Sequence, residues 1–177
     1  MLKQTFIKIF SSFYLLLLNN YISLISFFFK KKFSTRPSLK NINIISVYKK
    51  SGLGRVIDLL KIHFDQNTVS FSNIFLPEFK KNSLPENNKI NLFVGNPDIL
   101  LPAFKKLLGF EIFKSYNIGY WFWELEDIPN KWELSSSVID EICVCTEYNY
   151  NIFTEISHNV KKIPFYISIV REKLHSL

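Results

Sequence analysis

Ile42-Asn43-Ile44-Ile45-Ser46-Val47-Tyr48, then Lys49-Lys50, then Ser51-Gly52-Leu53-Gly54-Arg55, is the stretch that decides the fold. Its first part is a short, β-branched run of the kind that forms a strand buried on both faces. Its last part is a glycine-containing turn that opens directly into the apolar pattern Leu53 to Phe64, which reads as a helix. A buried strand passing through a tight turn into a helix is the opening unit of a parallel α/β sheet.

Downstream, the same alternation continues. Thr68 to Phe75, Ile90 to Val94, Asn117 to Phe122, Glu141 to Thr146 and Val160 to Phe165 read as strands. Asp98 to Leu108, Lys131 to Ile139 and Glu147 to Ile156 read as helices, and the polar, two-proline segment Pro77 to Lys89 as the one long loop. No internal repeat interrupts this order. The expected fold class is therefore α/β: a Rossmann-like parallel sheet flanked by helices and preceded by a hydrophobic N-terminal helix.

Residues 1–38 form a separate tail and linker, and residues 39–177 the sheet domain. From Phe10 to Phe29 the tail carries no formal charge, long enough as a helix to cross a hydrocarbon core of about 30 Å, and it closes on Lys30-Lys31-Lys32. Asn19 and Asn20 sit in its middle, and no small-residue cleavage site precedes the lysines. An in-plane helix on an anionic bilayer surface fits this mixture, with a true span and a helix packed on a neighbouring domain as alternatives. Arg36-Pro37-Ser38 reads as the linker.

With 177 residues, 47% of them hydrophobic, the chain has the material for one packed domain. Lys and Arg outnumber Asp and Glu by 22 to 15, for a net charge of +7, which favours an anionic partner: a membrane surface, a nucleotide phosphate or nucleic acid. The lysines are dispersed, and no stretch interleaves several Arg with aromatics, so no nucleic-acid partner is expected. An abundance of Asn, Lys, Ile, Phe and Ser also matches a base-composition bias that raises the isoelectric point without functional cause. Cys143 and Cys145 read as reduced thiols in a strand that does not let them bridge easily. His63, His158 and His175 have no ligand spacing to each other or to Cys and acidic residues, so no metal and no cofactor is expected.

Two segments carry candidate chemistry. The turn at Gly52, Gly54 and Arg55 aims unpaired backbone N–H groups and a positive helix end at the carboxyl edge of the sheet, where open α/β sheets bind ligands. Two glycines also simply make a tight turn, and Ile57 replaces the third glycine of a dinucleotide fingerprint. Gly119-Tyr120-Trp121-Phe122-Trp123-Glu124 places a carboxylate beside two indoles just past a strand. Aromatic faces there can stack on a sugar ring and a carboxylate can bind hydroxyls, although each Trp taken alone suits the core better, since large aromatics are usually core. No Ser-His-Asp or Cys-His spacing marks a nucleophile, and the catalytic residues stay unassigned.

The ordered run Asn117 to Leu125, Ile128-Pro129-Asn130-Lys131-Trp132 and Val138 to Thr146 resembles the N-terminal domain of retaining, nucleotide-sugar-dependent glycosyltransferases of the group 1 (GT4) type. Gly52 to Arg55, Asn96-Pro97-Asp98 and Ile163-Pro164-Phe165 fall where that family has corresponding segments, and the resemblance covers Asn41 to Ile169. Cys143 and Thr146 depart from it, standing where the family usually has Trp and Ser. The resemblance implies one half of a GT-B fold, ending before the donor-binding C-terminal domain. It implies Gly52, Gly54 and Arg55 near the donor phosphates, and Trp121, Trp123, Glu124 and Asn96 on the acceptor side.

The expected partners are a nucleotide-sugar donor, a glycan or lipid-linked acceptor, a C-terminal half supplied in trans and a membrane surface. The expected location is the cytoplasm, with a peripheral seat on the inner membrane face. The alternative is a non-catalytic remnant or a glycan- or partner-binding module on a membrane tail.

Overall fold

The computed structural model describes residues 37–38, 40–79, 90–100, 103, 109–129, 132 and 138–165. The expected hydrophobic N-terminal helix lies outside these residues, as does most of the helix expected over Lys131 to Ile139. Among the described residues, no helix is long and apolar enough to cross a membrane.

Strands β1 (Asn41–Ser46), β2 (Ser70–Phe75), β3 (Ile90–Gly95), β4 (Tyr116–Trp121), β5 (Glu141–Val144) and β6 (Val160–Lys162) form one parallel sheet in the order β2-β1-β3-β4-β5-β6. The α/β, Rossmann-like expectation holds at this level. Strand order reverses between β1 and β3, because the chain first builds outward to β2 and then restarts on the other side of β1. Their carboxyl ends therefore diverge into a crevice, the place where doubly wound sheets accommodate ligands.

Helix α1 (Gly52–Gln66) packs on one face of the sheet. Leu53, Val56, Ile57, Leu60 and Phe64 recur at helical spacing on its inner side, while Arg55, Asp58 and Ile62 are exposed. The side chain of Ser51 caps it by accepting from the Gly54 N–H at 3.2 Å. On this face Ile42 and Ile44 of β1 meet Ile90, Leu92 and Val94 of β3 and Ile118 of β4. The opposite face carries the larger core, with Ile45, Phe93, Trp121, Ile142 and Val144 under α2 (Gly109–Lys114) and α3 (Glu147–Thr154).

Polar residues also enter that second core. Asn43, Asn91 and Asn117 stand in register on β1, β3 and β4, all fully buried. Asn43 Nδ2 donates to Asn91 Oδ1 at 2.9 Å, and Asn91 Nδ2 donates to Asn117 Oδ1 at 2.9 Å. Asn117 Nδ2 ends the ladder on the Ile112 and Val138 carbonyls. Buried amides are tolerable because each is paired, and a one-residue slip of any strand would unpair them.

Several boundaries differ from the sequence reading, for local reasons. Thr68 adopts a left-handed φ of 54° after the Asn67 cap of α1, so β2 begins at Ser70. β5 ends at Val144 because Thr146 leaves the sheet to cap α3, its Oγ1 accepting from Asn149 N–H at 3.1 Å. β6 stops at Lys162, short of Pro164, which has no N–H for the ladder. The helix expected over Asp98 to Leu108 is entered through a 3-10 turn, Pro97–Ile99; Leu100 and Ala103 are helical and the remainder of that span lies outside the described residues.

Candidate functional site

The carboxyl edge of the sheet gathers the segments that follow each strand. After β1 the chain runs through Tyr48 and Lys49 into the α1 turn. Gly54 is required there by packing: a Cβ would stand 2.5 Å from the Lys49 carbonyl oxygen. Gly52 is different, since a Cβ on it meets no described residue within 4 Å. The first turn of α1 is thus open at Gly52, with Arg55 exposed beside it. Lys49 is engaged elsewhere, with its ammonium 2.6 Å from both carboxylate oxygens of Glu78 and 4.7 Å over the Phe75 ring.

After β3, Gly95 adopts φ +141° and Asn96 is half-buried at the start of the 3-10 turn. The positive φ lets the chain bend beneath the Tyr48 ring. Tyr48 holds its phenol proton to higher pH than usual, first because burial disfavours the phenolate and second because the Asp98 carboxylate repels it. Asp98 in turn accepts from the Trp132 indole N–H at 3.2 Å.

After β4, Trp121 and Trp123 separate sharply. Trp121 is fully buried, tilted against Phe153 at 5.4 Å between ring centroids. The structure thus places Trp121 in the core beneath the edge. Gly119 makes room for it: a Cβ there would be 2.3 Å from the indole. Among the described residues Trp121 Nε1 has no hydrogen-bond partner, and it lies against that glycine.

Trp123 is half-buried on the edge itself. Its ring meets Trp132 edge-to-face at 4.4 Å, and its Nε1 donates to the Asp127 carbonyl at 3.0 Å. Its own carbonyl accepts from Asn149 Nδ2 at 2.5 Å. This ties the β4, β5 and 3-10 segments together through Trp123, Asn149, Trp132 and Asp98. Glu124 follows as an exposed carboxylate on the rim, flanked by exposed Leu125, Glu126 and Asp127.

Gly52, Gly54, Arg55, Asn96, Trp123 and Glu124 therefore all lie at the carboxyl ends of β1, β3 and β4. These strands are sheet neighbours, so the outer two are about 10 Å apart, two inter-strand spacings. The edge combines helix-end N–H groups and an exposed guanidinium on one side with an indole and carboxylates on the other. That arrangement can hold an anion and a polyhydroxylated group at once. Among the described residues, no group of three His, Cys, Asp or Glu is placed to hold a metal ion.

Sequence reasoning missed Tyr48, Asp98 and Asn149, which shape the edge. Tyr48 was findable, because it is the last aromatic before the turn; the other two act through contacts distant in sequence. It also missed Cys145 as part of the edge, where burial raises the thiol pKa against a lowering backbone hydrogen bond. Comparison with family models, curated proteins and solved structures returns no match to this chain.

Proposed function

We propose that this chain is the acceptor-side half of a nucleotide-sugar-dependent, retaining glycosyltransferase of GT-B architecture. In this reading it works with a donor-binding half to move a sugar onto a glycan or lipid-linked acceptor. The observation that carries it is the convergence of the open α1 turn, Asn96 and the Trp123-Glu124 pair on one sheet edge, around the reversal of strand order between β1 and β3.

Each group then has a physical task. The N–H groups at Gly52 and the charge of Arg55 attract the donor diphosphate, with the helix dipole adding to the field. Trp123, fixed by Trp132, Asp127 and Asn149, presents a rigid apolar wall to a sugar ring, and Glu124 accepts from its hydroxyls. Residues that touch the transferred sugar belong to the donor half in this reading, so this chain's contribution is binding and orientation. The reaction sits at the cytoplasmic membrane face in this account.

The test is transfer of a labelled sugar to a glycan acceptor by the chain combined with its donor half, comparing wild type with Glu124→Ala. A loss of about tenfold, near 1.4 kcal/mol, is expected from one missing charged hydrogen bond. Unchanged kinetics would make Glu124 a surface residue only. Oligosaccharide binding without any transfer would leave a glycan-holding module, the second reading.

A further inference from the structure

Among the described residues, the sheet face that carries α1 is incompletely covered. Val56 and Ile57 are buried against the strands, yet Leu60 and Phe64, further along the helix, are only half-buried. They border a cavity of about 410 Å³ over Ile90, Leu92 and Ile118. Packed interiors seldom keep voids larger than a water molecule, whereas small-ligand sites occupy roughly 300 to 1,000 Å³.

The few polar groups of its lining are already engaged. The Tyr120 hydroxyl donates to the Ile163 carbonyl at 3.1 Å. The Cys143 thiol lies 3.4 Å from Glu141 Oε1, and His63 Nδ1 lies 3.4 Å from Asn67 Nδ2. A ligand in this space therefore meets hydrocarbon and aromatic ring. A sugar, nucleotide or peptide would bury polar groups there without partners.

The lining also runs along the strands. Ile42 and Ile90 stand at their amino ends, while Tyr120, Ile163 and Phe165 stand at their carboxyl ends. At that second end Ile163 and Phe165 are 39% and 41% exposed, and Phe165 stacks on Phe122 with 5.5 Å between centroids and 2° between planes. Phe122 directly precedes Trp123 and Glu124. One end of the cavity thus borders the rim that holds the candidate acceptor residues.

We propose that this cavity seats the single hydrocarbon chain of an amphiphile, with its polar head at the Phe122 to Glu124 rim. Naming that head as the sugar acceptor rests on the function proposed above; the seat for the chain does not.

Titration of the full chain with cis-parinaric acid, a fluorescent linear fatty acid, tests the seat directly, followed by displacement with palmitate or with farnesyl phosphate. Saturable binding of one equivalent is expected. Stronger displacement by palmitate identifies an acyl chain, and stronger displacement by farnesyl phosphate identifies a polyprenyl chain. Leu60→Trp and Ile118→Phe fill the cavity from two sides and should each weaken binding by about tenfold or more, with circular dichroism unchanged. Ile62→Ala, on the exposed side of α1, should leave binding as it was.

Should a filling variant fail to fold, Cys143 gives a second readout. In a Cys145→Ser background, bound palmitate should slow alkylation of Cys143, which lines the cavity. Absence of saturable binding, binding untouched by both filling variants, or equal alkylation rates with and without palmitate overturns the proposal. Because no sugar transfer is measured, a failed transferase assay and a failed lipid titration are distinguishable.

Discussion

Tyr48 and Gly95 are packed so closely that a Cβ on Gly95 would lie 2.6 Å from Tyr48 Cε2. The contact joins the segments after β1 and β3, the two strands between which strand order reverses. The floor of the candidate site is therefore built by an aromatic ring resting on bare backbone, and Gly95 is held at φ +141° to allow it.

Gly95→Ala should accordingly destabilise the fold by about 2 to 4 kcal/mol, combining backbone strain with the clash. Tyr48→Ala should recover part of that loss in the double variant, because it removes the clash and not the strain. Chemical denaturation of the four proteins in the cycle measures this coupling, and additive losses would show that the two residues do not interact.

The Asn43-Asn91-Asn117 ladder predicts an asymmetry between single and concerted changes. Asn91→Ala strips a partner from both neighbours and should cost about 2 to 4 kcal/mol, since buried amide atoms lose bonds on each side. Asn91→Asp should be as harmful, because the Asn117 carbonyl oxygen would face a second acceptor. Equilibrium unfolding checks both, and losses under 0.5 kcal/mol, about the size of an exposed substitution, would contradict the account.

Glu141 is a fully buried carboxylate held by the Tyr116 hydroxyl at 3.0 Å and the Lys161 ammonium at 2.9 Å. Lys161 is half-exposed, so its own charge is well screened, but its loss leaves the carboxylate short of a partner. Lys161→Met should destabilise by about 1 to 3 kcal/mol, and Glu141→Gln in the same background should restore part of it. Equal stability of Lys161→Met and wild type would show that the pair is dispensable.

Tyr120 sets the alkaline limit. Burial, with the neighbouring Cys145 and Cys143 thiolates adding to it, raises its phenol pKa well above the ordinary value of 10.0. The folded state therefore keeps a proton that the unfolded state releases. Its contribution is complete below about pH 10 and declines as pH rises from there toward the folded pKa. Tyr120→Phe should flatten that decline while losing the bond to Ile163, as unfolding curves at successive alkaline pH values would show.

Much of the fold was legible because its signals are local. The β-branched run ending in Val47-Tyr48, with Gly52 and Gly54 behind it, states a buried strand and a tight turn into a helix within a few residues. The Trp121 and Trp123 assignments needed more, since two indoles of one segment end in different environments. Gly119 held the clue: two residues before Trp121 on the same strand face, it makes room for a buried indole. The asparagine ladder and the Asp98-Trp132 bond were not legible, because their partners lie 26 to 48 residues apart and meet only through sheet register. The cavity beside α1 depends on how the helix sits on the sheet, which apolar periodicity does not determine.

The most direct test of the central claim is calorimetric titration of the chain with nucleotide sugars, with and without a GT-B donor-binding half supplied in trans. The account predicts saturable heat only when both proteins are present, reduced by Gly52→Pro, which stiffens the open turn of α1 and removes its N–H. Heat in neither mixture, or heat unaffected at Gly52, would contradict a donor site completed at this sheet edge.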